Sequence, residues 1–169
     1  MHIIAKATKA DITQIKLLTQ KAFTLYQNEL NSDVKVDALY ETSDDILLDI
    51  NHNYVFVAKD ISGRLLGAIR YSLLNSDIAY IYRFAVDSDF SHTGLGTELL
   101  KAALDDAKAK GAKAATLYTN AKYFTLARYY YGKEFFVHST DSSKGYIRAL
   151  FIKELSDCTN YNLTPVFSK

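Results

Sequence analysis

Two glycines one residue apart, Gly94 and Gly96, close the run Ser91-His92-Thr93-Gly94-Leu95-Gly96, which leads straight into the amphipathic stretch TELLKAALDDAKAK. The first backbone N–H groups of a helix have no intrahelical acceptor, and the helix dipole adds partial positive charge there. Glycine carries no Cβ, so a phosphate can come within hydrogen-bonding distance of the amides of Leu95, Gly96 and Thr97. The same glycines also suit a tight turn packed on a sheet, and the motif alone leaves both uses open. Spacing excludes two nucleotide motifs. A dinucleotide fingerprint, G-x-G-x-x-G, needs a glycine where Leu99 stands. A P-loop needs four residues between its first glycine and Gly-Lys-Ser/Thr, which this run does not supply.

Other chemistry-bearing residues are sparse. His2, His52, His92 and His138 are scattered without metal-ligand spacing, so no catalytic metal is expected. The single Cys158 supports no disulfide framework, fits a reducing compartment, and has no evident His or Asn partner that would make it a nucleophile. Formal charge is +1, from 20 basic and 19 acidic side chains, and no charged block marks a nucleic-acid footprint. The N-terminal MHIIAKATKADI is too short in its apolar part for a signal peptide, and no apolar run approaches the ~20 residues of a membrane span, so cytoplasmic residence without membrane association is expected. With 49% apolar and 23% charged residues, the composition is that of one folded domain, taken as residues 1–155. Residues 156–169 form a tail that packs on the domain or on a partner subunit, and the aromatic residues from Phe135 to Phe167 leave a homodimer open.

The elements that must position the glycine run follow from periodicity. His2–Ala7 reads as a strand. Thr8, three residues before Asp11, forms a capping box for a helix carrying Ile12, Ile15, Leu18, Ala22, Phe23 and Tyr26 to about Asn28. Asn31–Thr42 reads as a loop or broken helix, and Ser43 caps a short helix through Ile50. Tyr54–Ala58, Leu65–Leu74 and Ile78–Val86 form an antiparallel meander. A helix from Thr97 to Lys110 buries Leu99, Leu100, Ala103, Leu104 and Ala107, ends at Gly111, and crosses over to a parallel strand at Ala114–Thr119. Ala121–Tyr131 is a second helix with Phe124, Ala127 and Tyr131 as its stripe, and Phe135–His138 with Tyr146–Glu154 close the chain as a hairpin. The order β-α-α-β-β-β-α-β-α-β-β predicts a mixed three-layer α/β fold.

The run Ile81–Thr119 resembles the acetyl-CoA-binding core of the GCN5-related N-acetyltransferases, the GNAT superfamily, whose signature is Q/R-x-x-G-x-G/A at a strand–helix junction. The element order agrees along nearly the whole chain. The resemblance implies an α-β-α fold whose mostly antiparallel sheet splays at the cofactor site, and direct acetyl transfer from acetyl-CoA to a primary amine, here taken as a small molecule. A non-catalytic acyl-CoA sensor and a protein or peptide N-acetyltransferase are the alternatives. By position, the amides of Leu95, Gly96 and Thr97 would hold the pyrophosphate, with Gly94 shaping the loop and His92 and Thr93 lining it. Backbone groups of Phe84, Ala85 and Val86 would bond the pantetheine, and Asn120 is a cleft candidate with helix capping as its other use. Ser91 departs from the signature by removing a long polar side chain from the phosphate loop.

Acetyl transfer needs a neutral amine, a polarised carbonyl and a proton for the departing thiolate. The family motif A-x-x-F/L-Y-x-x-x-G-F, set with Ala127 as its alanine, implies Tyr131 as the thiolate's acid, with Phe135 at the glycine place. Sliding by one selects Tyr130, with Glu134 at the glycine. Glu41 lies where the family shapes its acceptor pocket and is the candidate substrate contact or base. Tyr80 and Tyr82 are further pocket candidates. Arg83, expected on the same strand face as Ile81 and Ala85, cannot accept a proton but can bind an acceptor's carboxylate or phosphate. Asp33, Asp37, Glu41, Asp44 and Asp45 make the acceptor region acidic, favouring a cationic acceptor.

Overall fold

The structure, a computed structural model, describes residues 1–30, 33–157 and 160–169. Cys158 and the start of the segment expected to be a loop from Asn31 lie outside the described residues. Seven strands form one sheet in the order β1-β2-β3-β4-β5-β7-β6: β1 His2–Lys6, β2 Tyr54–Asp60, β3 Leu65–Leu74, β4 Ile78–Val86, β5 Ala114–Asn120, β6 Phe136–Asp141 and β7 Arg148–Glu154. Among the described residues only β4 and β5 run parallel; their connection passes through a helix, as a parallel crossover requires.

Helices α1 Ile12–Leu30 and α2 Ser43–His52 cover one face of the sheet, and α3 Leu95–Ala109 with α4 Phe124–Tyr131 cover the other. Their apolar stripes fill two cores. Leu99, Leu100, Ala103 and Ala107 of α3 pack with Ile69, Tyr71, Ile81 and Leu117, while Ile15 and Leu18 of α1 and Ile46 of α2 pack with Val55, Val57, Ala68 and Ala85. Thr42, not Ser43, caps α2: its hydroxyl accepts from the Asp45 N–H at 3.2 Å, and its own N–H donates to Asp45 at 2.8 Å.

Two local features depart from simple periodicity. In β4, Arg70 pairs with Tyr82 and Ala68 with Ala85, so Arg83 and Phe84 together oppose one residue of β3. This is a β-bulge, and Arg83 sits in the left-handed region at φ +51°. The extra residue inverts the alternation: Ile81 faces the α3 core and Ala85 the α1 core, so Arg83 cannot share a face with both. In α4, Phe124 and Tyr131 are 73% and 56% exposed, so the expected stripe is displaced by about one residue; Leu126, Tyr129 and Tyr130 face inward instead. The tail folds back on the sheet, where fully buried Val166 joins Ile78, Ala114, Leu150 and Ile152. Among the described residues, no helix is long and apolar enough to cross a membrane.

Candidate active site

The parallel strands β4 and β5 stay together for three residue pairs, ending at Tyr80 and Thr116. Beyond that point they diverge, and β4 from Ile81 to Val86 has no neighbour on its β5 side. The divergence opens a cleft of about 1360 Å³ that runs from Tyr80 and Tyr118 past Phe84, Ala85 and Val86 to Ser91, His92, Gly94, Gly96 and Thr97.

At its far end the cleft meets the start of α3. Gly94 is the N-cap residue at φ +91°, a conformation only glycine adopts without strain. Its carbonyl accepts the Glu98 N–H at 3.1 Å, and among the described residues the N–H groups of Leu95, Gly96 and Thr97 have no backbone acceptor. A Cβ on Gly96 would lie 3.5 Å from Phe84 Cζ and Val86 Cγ2 and 3.6 Å from Tyr129 Oη, all ordinary contacts. Packing therefore does not demand glycine at 96, whereas close approach by an anion does. Three unpartnered amides, an open gap and a Cβ-free approach fit a diphosphate followed by an extended chain, as in acetyl-CoA.

The other loop candidates divide. His92, also left-handed at φ +65°, lines the cleft. Thr93 spends its hydroxyl on the Phe90 carbonyl at 2.7 Å, and the Leu95 side chain is buried in the core, so only its amide faces the site. Asn120 is not part of the cleft wall. Its N–H donates to Tyr26 Oη at 2.8 Å and its Oδ1 accepts the Lys122 N–H at 2.9 Å, so the side chain closes the turn after β5; the N-cap of α4 is Tyr123.

The three tyrosines of α4 are sorted by a backbone detail. Glu134 has φ +66°, the conformation that a glycine at this place would supply. That conformation fits the register with Glu134 at the motif's glycine, buried Phe135 at its phenylalanine and Tyr130 at its tyrosine. Tyr131 points outward over Phe151 and does not line the cleft, while Tyr129 and Tyr130 do. Burial raises the Tyr130 phenol well above its ordinary pKa, with Tyr129 and Tyr26 adding to the shift, so it stays protonated at neutral pH. Tyr129 Oη is buried and finds no well-formed hydrogen bond; burial raises its pKa, and the adjacent Thr97 side chain opposes that.

The acceptor end is built on a buried charge network that periodicity could not show. Arg70, fully buried on β3, donates to Glu41 Oε1 and Oε2 at 2.7 and 2.8 Å and to Asp49 Oδ2 at 2.9 Å. Burial opposes its charge, but the two carboxylates hold its pKa above the ordinary value. Arg83 Nε adds a third bond to Glu41 at 3.2 Å, and Tyr82 Oη donates to Asp49 Oδ1 at 2.8 Å. Glu41 thus accepts three arginine N–H bonds, which occupy both of its oxygens. Asp45 keeps its charge while capping α2, and of the acidic residues expected in this region Glu41 is the one held in an ion pair among the described residues. Tyr80 and Tyr82 stack at 5.9 Å and both line the cleft. The opposite wall holds residues that the sequence did not single out, Tyr26, Tyr118, Tyr123, Tyr146 and Arg148. For Tyr118, Tyr123 and Tyr146 the sequence signal was the abundance of tyrosine around β5 and the final hairpin.

The profile of the acetyltransferase (GNAT) family matches residues 19–135. The chain belongs to that family. This GNAT protein is an acetyltransferase that uses acetyl-CoA, and its fold recurs in solved structures at low identity. PaiA N-acetyltransferase from Thermoplasma acidophilum, in complex with coenzyme A, superposes with TM-score 0.78 at 18% identity, covering 91% of this chain and 99% of the other. YncA from Salmonella typhimurium, with its cofactor acetyl-CoA, gives TM-score 0.75 at 16% identity over 96% and 98%. The ribosomal-protein-S18-alanine N-acetyltransferase of Escherichia coli gives 0.73 at 15% over 96% and 100%. Among curated proteins, no match was found. Among the described residues no group of His, Cys, Asp and Glu side chains is placed to hold a metal.

Proposed function

We propose that this acetyltransferase transfers acetyl directly to the primary amine of a small molecule, with Tyr130 as the acid that protonates the departing thiolate. The observation that carries the reading is the continuity of the cleft. The gap between β4 and β5 leads without interruption from the unpartnered amides of α3 to the Tyr130 phenol and the Arg83–Tyr82 end.

Leu95, Gly96 and Thr97 hold the diphosphate through their amides, and His92 and Gly94 shape its approach. The unpaired edge of β4 from Phe84 to Val86 offers backbone groups to the pantetheine and to the thioester carbonyl. The free-base amine attacks that carbonyl from the Arg83 side. An N–C bond forms, the C–S bond breaks, and the nitrogen gives its proton to water because Glu41 is already saturated. The sulfur takes the proton of Tyr130, which burial keeps protonated at neutral pH while making it a weaker acid, so the transfer accompanies C–S cleavage; water then restores the phenol. No covalent enzyme intermediate is needed.

The test is thiol release from acetyl-CoA across polyamines, amino acids, aminoglycosides and short peptides. Turnover with a small amine is the expected result. Turnover with peptides alone points to a protein substrate, and tight CoA binding without turnover to an acyl-CoA sensor.

A further inference from the structure

Among the described residues, the arginines at the acceptor end differ in how many of their donors are spent. Arg70 spends both terminal nitrogens on Glu41 and Asp49, and Arg148 spends its three nitrogens on Asp141, the Lys169 carbonyl and Ser143. Arg83 spends only Nε. Among the described residues its two Nη groups have no partner, and the side chain is 25% exposed on the wall shared by the main cleft and a neighbouring recess of about 760 Å³.

This placement is built rather than incidental. The bulge turns Arg83 and Tyr82 to the same side, and Arg83 holds a left-handed backbone that a branched or bulky residue enters only at a cost. Glu41, itself fixed by Arg70, grips Nε and so directs the terminal nitrogens away from itself and toward the opening. Asp49 is also consumed, by Arg70, Tyr82 and Asn53. Lys35 and Lys144 line the cleft and carry no carboxylate partner among the described residues; Asp37 and Asp45 are the carboxylates of the neighbouring recess that make no ion pair among those residues.

We infer that the acceptor is a small primary amine bearing an oxyanion, a carboxylate or phosphate, which Arg83 grips through its two Nη groups. Arg83 directly precedes Phe84 in the chain, so an anion on it lies at the Arg83 end of the strand edge proposed to hold the thioester. That geometry suits a compact amino acid or aminoalkyl phosphate rather than a long polyamine, and Asp37 is left to draw in the acceptor's ammonium end. The inference rests on the acetyl-transfer reading and goes beyond it in naming the substrate class.

The experiment compares kcat/KM for matched amines: an amino acid, its carboxamide and its decarboxylated amine, beside an aminoalkyl phosphate, the plain alkylamine and spermidine. A bidentate charge-assisted grip predicts about a tenfold to hundredfold advantage for the acidic member, expressed mainly in KM. The carboxylate and phosphate arms tell the two anions apart. Arg83→Met brings the acidic-to-neutral ratio close to one, and Arg83→Lys retains part of it; because the readout is a ratio within each preparation, partial misfolding cancels. Equal or better use of neutral or polycationic amines by the unmodified protein overturns this inference alone, as does an unchanged ratio in Arg83→Met. Absence of thiol release with every amine overturns the acetyl-transfer reading and this inference with it.

Discussion

Replacing Gly96 with alanine should move stability and cofactor binding in opposite directions. The added Cβ meets Phe84, Val86 and Tyr129 at 3.5 to 3.6 Å, so nothing in the protein has to move. Gly96 lies in the first turn of α3, where alanine removes backbone entropy from the unfolded chain and gains about 0.4–1 kcal/mol. For a domain of this size that is a rise in Tm of roughly 1–4 °C. The same methyl stands over the amides proposed to hold the diphosphate. Losing one charge-assisted hydrogen bond there costs about 1.5–3 kcal/mol, or roughly a tenfold to hundredfold weaker Kd for CoA. Gly67→Ala is the contrast: its Cβ would lie 2.6 Å from Leu99 Cδ1, which is fully buried, and 3.3 Å from the Ala85 carbonyl. That change should destabilise by about 1–3 kcal/mol, opposite in sign to Gly96→Ala. Thermal unfolding without ligand and calorimetric CoA titration read both quantities. A Gly96→Ala protein that loses stability but binds CoA normally would refute the reasoning, because the glycine would then serve packing.

Arg70→Met strands Glu41 and Asp49 and should cost about 3–5 kcal/mol in urea unfolding; adding Glu41→Gln should recover part of it, and no recovery would mean the pair is not coupled. Burial alone would raise the carboxyl of Asp11, but hydrogen bonds from Lys59 and Thr8 outweigh it and lower the folded pKa. Its stabilisation is therefore fully present above the unfolded value of about 3.9 and lost as pH falls through the lower folded value. Asp11→Asn should cost about 1–3 kcal/mol at pH 7, a gap that narrows in acid; a gap that widens with falling pH would contradict this sign.

The order of elements was legible because each long segment keeps one period, as Leu99, Leu100, Ala103 and Ala107 do along α3. The place of the glycine run at the start of a strongly amphipathic helix was legible for the same reason. Three things were hidden. The bulge at Arg83 carries no glycine to announce it, so period-2 reasoning gave the wrong face. Three consecutive tyrosines erase the register of α4, and only the left-handed backbone at Glu134 resolves it. The Glu41–Arg70–Asp49 network joins residues far apart in sequence, so nothing local in the sequence shows that Glu41 is paired while the Arg83 terminal nitrogens have no partner among the described residues.

Those details converge on which group moves the last proton. The most direct measurement is steady-state thiol release at saturating acetyl-CoA by the unmodified protein, Tyr130→Phe and Tyr131→Phe, with CoA affinity measured beside it. Loss of a positioned general acid predicts a kcat lowered about 10²–10⁴-fold in Tyr130→Phe with CoA affinity retained, and Tyr131→Phe indistinguishable from the unmodified protein. Full activity in Tyr130→Phe, or loss confined to Tyr131→Phe, would contradict the site described here.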